Sequence, residues 1–259
     1  MSVREAVLQG VPQAVRRSFS PLRVALAVAA IAVIALFAHK QVSTSLTDED
    51  NLYIAKILQE TGHGAVEKST AESLPFDRQV ATVAAVQDAV LQMTRSDKVI
   101  PLNHSREPRD IYELRTGNCY DRSRVIEKAL NYAGLRTRHL AVYSTAETGS
   151  ALKSLATPQV SSHAVTEVET ARGWMVVDSN ERWLGLTADG RPFTLSALKA
   201  DPGLASAPLH PASKHGINKI FQRDFTYVIG LLSRRGRFYP PFTPVPDVNW
   251  RQMLYNLAD

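Results

Sequence analysis

The stretch TGNCYDRSRVIEKALNYAG, residues 116–134, carries the clearest structural signal in the chain. From Tyr120 onward its apolar side chains recur at helical spacing, and polar side chains occupy the opposite face. Gly117 permits a sharp turn before this segment, and Gly134 is a natural helix stop. The only cysteine of the chain, Cys119, stands where the helix begins. The pattern therefore predicts an amphipathic helix with a single thiol at its amino end.

The bulk composition is that of a globular protein. Of the 259 residues, 44% are hydrophobic and 21% are charged, with a net charge of +5, which excludes wholesale disorder. The sequence has no long basic stripe interleaved with aromatic residues, so we expect no nucleic-acid partner. A single cysteine excludes an intrachain disulfide, a CxxC redox pair and a cysteine-rich zinc site. We expect neither a metal nor another cofactor.

An unbroken apolar run, VALAVAAIAVIALFA, occupies residues 24–38. It is short for a membrane-spanning helix, which usually takes about 20 residues, but the flanking Arg23 and Lys40 can snorkel. The alternative is a cleaved signal peptide. Leu36 disfavours cleavage, because it stands where a signal peptide ending with this run would need a small residue. We therefore predict a transmembrane anchor at residues 22–39, with cleavage left open.

Charge predicts the orientation of this anchor. Arginines lie in residues 1–21, before the apolar run, whereas the acidic sequence TDED follows it at residues 47–50. By the positive-inside rule the amino-terminal segment, residues 1–21, stays in the cytoplasm. The sequence thus predicts a single-pass inner-membrane protein whose catalytic domain is extracytoplasmic, which in a bacterium means periplasmic.

Three further regions are predicted beyond the anchor. Residues 40–75 form a tether with some local helix, residues 76–183 form the folded core, and residues 184–259 form a carboxyl-terminal extension packed on that core. Within the core, Asp77 is placed to cap an amphipathic helix. The polar, proline-broken residues 97–110 are predicted to be loop.

Three segments have the alternation of β-strands. They are RTRHLAVYS at residues 136–144, HAVTEVET at residues 163–170 and GWMVVDSN at residues 173–180. Residues 145–162, between the first two strands, are predicted to be loop. Only a short turn separates the last two strands, so they should form a hairpin.

The position of the hairpin turn determines which side chains face each other. A turn at residues 170–171 places His163 opposite Asp178, and a turn at residues 171–172 places it opposite Asn180. In both registers the imidazole shares one face with a carboxylate or an amide. Such a partner fixes the histidine tautomer and supports an imidazolium beside a thiolate, and the start of a helix lowers the pKa of a thiol. We therefore predict a Cys119–His163–Asp178 triad, with Asn180 as the alternative third member.

The order of these motifs resembles the transglutaminase-like superfamily over residues 76–183. The matching segments are GNCYD at the head of a helix, NYAGLRTRH at its end, and then HAVTEV and GWMVVDSN. The resemblance implies an α+β, papain-like fold in which a helix-borne cysteine packs against an antiparallel sheet. Cys119 matches the family's nucleophile, His163 its base and Asp178 its orienting acid.

The resemblance also implies a reaction class, which is acyl transfer from an amide through a thioester. Peptidases, amidases and transglutaminases all use it, so the substrate is a peptide or another amide-bearing molecule of open identity. An oxyanion hole would use the backbone N–H of Cys119 and a second donor, for which Asn118 and Tyr120 are candidates. Asp121 matches the family's acid two residues after the nucleophile, and we interpret it as structural.

A different class of function stays open. The chain could be a non-catalytic binding or scaffolding protein that keeps the fold within a membrane-bound envelope or polysaccharide assembly. Its partner would then be a protein of that assembly, and residues 184–259, which lie outside the motif match, give room for such an interface.

Overall fold

A computed structural model describes residues 21–39, 41–64, 66, 74–94, 98–101, 104–157, 159–232 and 247–257. The chain divides into two compact units, residues 1–39 and residues 40–259. In the first unit the described residues form one helix, α1, Pro21–His39. Across the described ranges no helix is both long and apolar enough to cross a membrane. The anchor at residues 22–39 therefore stays a prediction, and residues 1–20 of the predicted cytoplasmic segment lie outside the described residues.

The second unit combines helices with antiparallel strands. Its α-helices are α2 Asp48–Glu60, α3 Phe76–Met93, α4 Pro108–Leu114, α5 Cys119–Tyr132, α6 Ala151–Ala156, α7 Leu195–Ala200 and α8 Trp250–Met253. Among its described residues, short 3₁₀ segments span Pro202–Ser206, Lys219–Gln222 and Leu254–Leu257.

The main sheet has four strands in the order β3-β2-β1-β4, and all neighbours are antiparallel. These strands are β1 Thr137–Ser144, β2 Ser162–Thr170, β3 Gly173–Asp178 and β4 Phe225–Ile229. A two-stranded sheet joins β5 Leu231–Leu232 to β6 Asp247–Val248. The predicted mixture of helices with an antiparallel sheet is confirmed.

Helix α5 forms where the periodicity predicts it and ends at the predicted glycine, since Gly134 has a φ of 89°. Its buried apolar face includes Val125, Ile126 and Leu130. The helix lies against β2, where the Ser123 hydroxyl is 3.0 Å from that of Thr166. Each fully buried Val, Leu or Ile contributes about 1.5–3 kcal/mol to folding, so this face is a major source of stability.

Helix α2 belongs to the folded core, which corrects part of the predicted tether at residues 40–75. Ile54, Ile57 and Leu58 are buried in the same cluster as the apolar faces of α3 and α5. The Lys128 ammonium of α5 lies 2.8 Å from the Asp50 carboxylate, with both side chains buried. The apolar positions i, i+3 and i+4 make one helix face, which is enough to dock α2 on its neighbours.

The second face of the main sheet is covered by the chain after β3. Val165 and Val176 project from the face opposite to Val168 and Met175, because successive strand residues alternate. They pack with Trp183 and with aromatic and aliphatic side chains from the segment between β3 and β4. The carboxyl-terminal region thus covers one face of the sheet and supplies its fourth strand.

Three local predictions are wrong. Asp77 does not cap α3; the N-cap is Pro75, without a side-chain hydrogen bond, and Asp77 lies in the first turn. Residues 97–110, predicted to be loop, contain the start of α4, where Glu107 and Asp110 form a capping box around a proline at the first position. Residues 145–162, also predicted to be loop, contain α6.

Candidate active site

The amino end of α5 holds Cys119 in a fixed position. The Asn118 side chain accepts a hydrogen bond from the Asp121 backbone N–H at 3.1 Å, and the Asp121 carboxylate accepts one from the Asn118 N–H at 3.0 Å. This capping box leaves Cys119 as the first helical residue, with a half-buried side chain. The positive end of the helix dipole therefore acts on the sulfur.

Gly117 lets the backbone approach this cap closely. A Cβ atom at position 117 would lie 3.1 Å from the Asp121 Cβ and 3.5 Å from side-chain carbons of Ile111 and Thr94. A side chain at this position would therefore require the cap to shift by a few tenths of an ångström. The glycine predicted to permit a sharp turn has this role.

His163 is the second residue of β2 and is buried, with 2% of its surface exposed. It stands beside Val142 of β1 in the antiparallel register. Its ring meets the Phe221 ring edge to face, with centroids 5.9 Å apart. Packing from the 3₁₀ segment Lys219–Gln222 thus restrains the imidazole.

Asp178 ends β3 and hydrogen-bonds the imidazole. His163 Nε2 lies 3.2 Å from each carboxylate oxygen of Asp178. The hairpin turn is at residues 171–172, because Thr170 pairs with Gly173 and Val165 pairs with Asp178. That register is the second of the two predicted, and the turn at residues 170–171 is wrong. Asp178 reaches His163 as a diagonal neighbour on the same face.

The Asp178 carboxylate is also fixed by backbone groups of the following loop. Its Oδ1 accepts hydrogen bonds from the N–H groups of Asn180 at 2.7 Å and Glu181 at 2.9 Å. These bonds orient the carboxylate toward the imidazole, so the pair does not depend on a single contact.

A buried glutamine of α3, which the sequence analysis missed, holds the same loop. Gln87 Nε2 lies within hydrogen-bond distance of the carbonyl oxygens of Asp178 at 2.8 Å, Glu181 at 3.0 Å and Trp183 at 2.9 Å. The available signal was a polar side chain in the apolar face that includes Val83 and Val90. Gln87 is thus a positioning residue for the Asp178 loop.

The Cys119 side chain interacts with the His163 imidazole and favours its charged form. Because Nε2 of the ring is directed at Asp178, Nδ1 is the nitrogen left for the sulfur. Burial opposes a charge on the imidazole, but the Asp178 carboxylate, its hydrogen bond to the ring and the interaction with Cys119 outweigh it, so the pKa of His163 is raised well above its ordinary value. The structure brings the three predicted residues together, and their catalytic roles stay a prediction.

The alternative third member, Asn180, has another partner. Its Oδ1 accepts a hydrogen bond from Arg122 Nη1 at 2.9 Å, while Arg122 Nε donates to the Thr94 hydroxyl at 2.9 Å. In the described part of the chain no hydrogen bond joins Asn180 to His163. Asn180 lies at the edge of the site, where it lines a cavity together with His163.

The two candidate oxyanion donors differ in what they can offer. The backbone N–H of Asn118 is already donated to the Asp121 carboxylate. The Tyr120 side chain is buried, and burial raises the pKa of its hydroxyl. The backbone N–H groups of Cys119 and Tyr120 belong to the first turn of α5, whose N–H groups have no acceptor within the helix.

Asp121, interpreted from the sequence as structural, is fully buried behind the cap. It lies 3.3 Å from Arg106 Nε and accepts a hydrogen bond from the Ile100 N–H at 3.3 Å as well as the one from Asn118. Burial raises the pKa of its carboxyl, opposed by these partners. These contacts tie Asp121 to the cap and to the segment before α4.

A cavity of about 300 Å³ opens beside His163. Arg223 lines both this cavity and a larger one of about 580 Å³, so the two are adjacent. The smaller cavity is lined by Ser144, Ser161, Ser162, His163, Asn180, Asn218, Lys219, Ile220 and Arg223.

Comparison with known proteins identifies the family of this core. Residues 68–179 match the sequence model of the transglutaminase-like superfamily, and this range includes Cys119, His163 and Asp178. No protein of curated function matches the chain.

Two solved structures are similar to the chain, with low overall superposition. One, from Parabacteroides distasonis, is provisionally assigned as a protease; it is 12% identical over 50% of this chain and 26% of its own, with a TM-score of 0.32. The other, described as a TGase, is 18% identical over 52% of this chain and 33% of its own, also with a TM-score of 0.32. The chain thus spans about a quarter to a third of these two proteins. The resemblance to the transglutaminase-like superfamily is confirmed by the family match, and residues 68–179 are a transglutaminase-like core.

Proposed function

We propose that the protein is a cysteine-dependent acyl-transfer enzyme that acts on amide bonds. The observation that carries this proposal is the hydrogen-bonded pair of the His163 imidazole and the Asp178 carboxylate, with which the Cys119 thiol at the start of α5 interacts. It lies at the amino end of a helix, beside a cavity that a substrate can enter. Membership of this core in a family that includes cysteine-dependent acyltransferases and peptidases supports the same reaction class.

The proposed reaction has two halves. The Cys119 thiolate attacks the amide carbonyl, and the C–N bond breaks as the His163 imidazolium gives its proton to the departing amine. The acyl group is then held on sulfur as a thioester. A water molecule or a second amine attacks this carbonyl, His163 accepts its proton, and the free thiol is restored. Hydrolysis or transfer is determined by which nucleophile enters.

Three features support these roles. The helix dipole and a protonated His163 both stabilise a thiolate. Asp178 keeps the imidazole charged and in one orientation. The first-turn N–H of Cys119 is suited to donate to the oxyanion of the tetrahedral intermediate. The substrate is a peptide or another amide-bearing molecule that reaches the cavity beside His163.

The single cysteine makes a direct test possible. Alkylation of the full-length protein by iodoacetamide reports only on Cys119, because the chain has one cysteine. The thiolate is the reactive form, so we expect Cys119 to be alkylated much faster at pH 6 than the thiol of glutathione. His163→Asn should slow this reaction, while His104→Asn, which removes a histidine paired with Asp110, should not. A wild-type rate no faster than that of glutathione would contradict the proposal.

Turnover is tested with a peptide library. The library is incubated with wild-type protein and with Cys119→Ala, and mass spectrometry follows hydrolysis, deamidation and attachment of an added amine. We expect products only with the wild type. Identical product spectra from both proteins would instead favour the non-catalytic binding or scaffolding function.

We further propose that residues 22–39 attach the enzyme to a membrane, with the catalytic unit on the extracytoplasmic side. The apolar run with its basic flanks supports this, as does the exposure of apolar side chains such as Val24, Leu26 and Ile31 along α1. In bacterial membranes, alkaline carbonate should leave the full chain in the pellet and release a chain that lacks residues 1–39. Release of the full chain would contradict attachment.

A further inference from the structure

The cavity beside His163 carries positive charge on one wall. Lys219 and Arg223 both line it. Among the described residues that line this cavity, none has a carboxylate side chain. Two cationic side chains therefore face one small space that has no carboxylate in its described lining.

We infer that this cavity is an anion subsite, and that the preferred acyl donors are amides that carry a carboxylate close to the reacting carbonyl. The inference rests on the proposed function, because it concerns the substrate of the same site. Acidic peptides are the chemical class that meets this description.

Lys219 and Arg223 differ in exposure and in side-chain partners from the arginines that have structural roles. Arg138 is buried against Glu167 at 2.6 Å, and Arg122 holds Thr94 and Asn180. Lys219 and Arg223 are exposed, and within the described ranges neither has a hydrogen bond or ion pair to another side chain. Their donor groups are therefore available to a ligand.

The segment that carries both cations is held close to the imidazole. Asn218 caps the 3₁₀ segment by accepting a hydrogen bond from the Ile220 N–H at 3.1 Å. Phe221, between the two cations, is buried against His163, and its ring also lies 6.0 Å from Trp183 and 5.5 Å from Phe225 between centroids. The aromatic contacts thus fix the backbone that presents Lys219 and Arg223 beside the reacting group.

The remaining lining suits a carboxylate. Hydroxyl groups of Ser144, Ser161 and Ser162 and the amide of Asn180 can donate to carboxylate oxygens. A guanidinium such as Arg223 can bind both oxygens of one carboxylate in a planar arrangement. Arg223 also lines the adjacent cavity of about 580 Å³, which offers room for further residues of a peptide donor.

A pair of matched alkylating probes tests the subsite on the full-length protein. N-iodoacetylglycine and N-iodoacetylglycinamide have the same reactive carbon and differ only in a carboxylate against a neutral amide. In both, the Cys119 sulfur forms a thioether as the carbon–iodine bond breaks and iodide leaves. The measured quantity is the second-order rate constant for N-iodoacetylglycine divided by that for N-iodoacetylglycinamide. This ratio is then divided by the same ratio measured for glutathione.

We expect this normalised ratio to exceed about tenfold for the wild-type protein and to fall as salt is added, because exposed charges are screened. In the variant that combines Lys219→Gln with Arg223→Gln, the ratio should approach one. Arg251→Gln, which removes an exposed cation outside both cavities, is the matched control and should keep the wild-type ratio.

The outcomes separate this inference from the proposed function. Rapid alkylation by both probes at a normalised ratio near one would overturn the anion subsite and leave the activated thiol intact. A high ratio that persists in the double variant would also overturn it. If the neutral probe reacts no faster with Cys119 than with glutathione at pH 6, the proposed function fails instead.

Discussion

The side-chain amide of Gln87 donates a hydrogen bond to the backbone carbonyl of Asp178 at 2.8 Å, although the two residues are 91 positions apart in the sequence. The contact links the middle of α3 to the end of β3. It acts on the predicted triad without touching the thiol or the imidazole. Its removal should therefore affect both stability and the chemistry of Cys119.

Gln87→Met keeps the side-chain volume and removes the donor from three carbonyl groups. Because three carbonyl groups would lose the hydrogen bond from this buried amide, we expect the free energy of unfolding to fall by about 1–3 kcal/mol in urea titration. We also expect alkylation of Cys119 at pH 6 to slow, since the Asp178 loop is less well fixed. Gln92→Met, at an exposed position of the same helix, is the control. A loss of stability with an unchanged alkylation profile would limit Gln87 to a structural role.

Asp178→Asn tests the charge that keeps His163 protonated. Burial alone lowers the pKa of an imidazole, so without the carboxylate His163 should become neutral near pH 7. A neutral imidazole stabilises the thiolate less, so alkylation of Cys119 at pH 6 should slow. The measurement is the pH dependence of iodoacetamide alkylation, and an unchanged profile would contradict the assigned role of Asp178.

The ion pair of His163 and Asp178 should make the stability of the protein depend on pH. A histidine whose pKa is raised by folding stabilises the protein fully below its unfolded value of about 6.5. This stabilisation is lost as the pH rises through the raised pKa. The difference in free energy of unfolding between Cys119→Ala and the Cys119→Ala/Asp178→Asn double variant should thus be larger at pH 6 than at pH 10. A difference that is constant across this range would show that the ion pair contributes nothing to stability.

Sequence patterns could predict the elements whose apolar residues follow one helix or strand period without a break. The apolar positions of α5 form an unbroken helical stripe, and its single thiol marks the helix start. The short connection between β2 and β3 limited the hairpin to two registers, with the turn at residues 170–171 or at residues 171–172. Only tertiary packing selects the second. Both registers keep His163 and Asp178 on one face of the sheet. The pairing of these two residues could therefore be predicted without knowing which register the hairpin adopts.

Elements that depend on distant partners were harder to predict. Helix α2 has a strongly acidic first turn and a narrow apolar stripe, which is equally typical of a solvated tether. Its place in the core depends on contacts with α3 and α5, including Asp50 with Lys128. Strand β4 is short and lies far along the chain from β1, its partner in the sheet. Gln87 has no local signature beyond a polar group in an apolar face.

Glu127 should make the protein less stable above neutral pH. Its carboxyl is fully buried, and burial raises its pKa to about 7 against opposing contributions from Gln252, Arg124 and Lys128. A carboxyl with a raised pKa contributes stability below its unfolded value of about 4.5, and this is lost as the pH rises to about 7. Glu127→Gln cannot ionise and can still accept from Gln252. Urea unfolding should show the wild type losing about 3 kcal/mol between pH 4.5 and 8 relative to Glu127→Gln. Parallel pH profiles would contradict this.

Gly117→Ala tests whether the close approach before the α5 cap controls the thiol. The added methyl would lie 3.1 Å from the Asp121 Cβ, so the cap must shift by a few tenths of an ångström or the turn must open. We expect a loss of about 1–2 kcal/mol in urea unfolding, as for other small overpacking changes in cores. Alkylation of Cys119 at pH 6 should also slow, because the sulfur moves relative to both the helix end and His163. Gly216→Ala is the matched control, since a Cβ there meets nothing within 4 Å. If Gly117→Ala retains wild-type stability and alkylation rate, the turn does not depend on glycine, and the position of Cys119 must be fixed by the Asn118–Asp121 capping box alone.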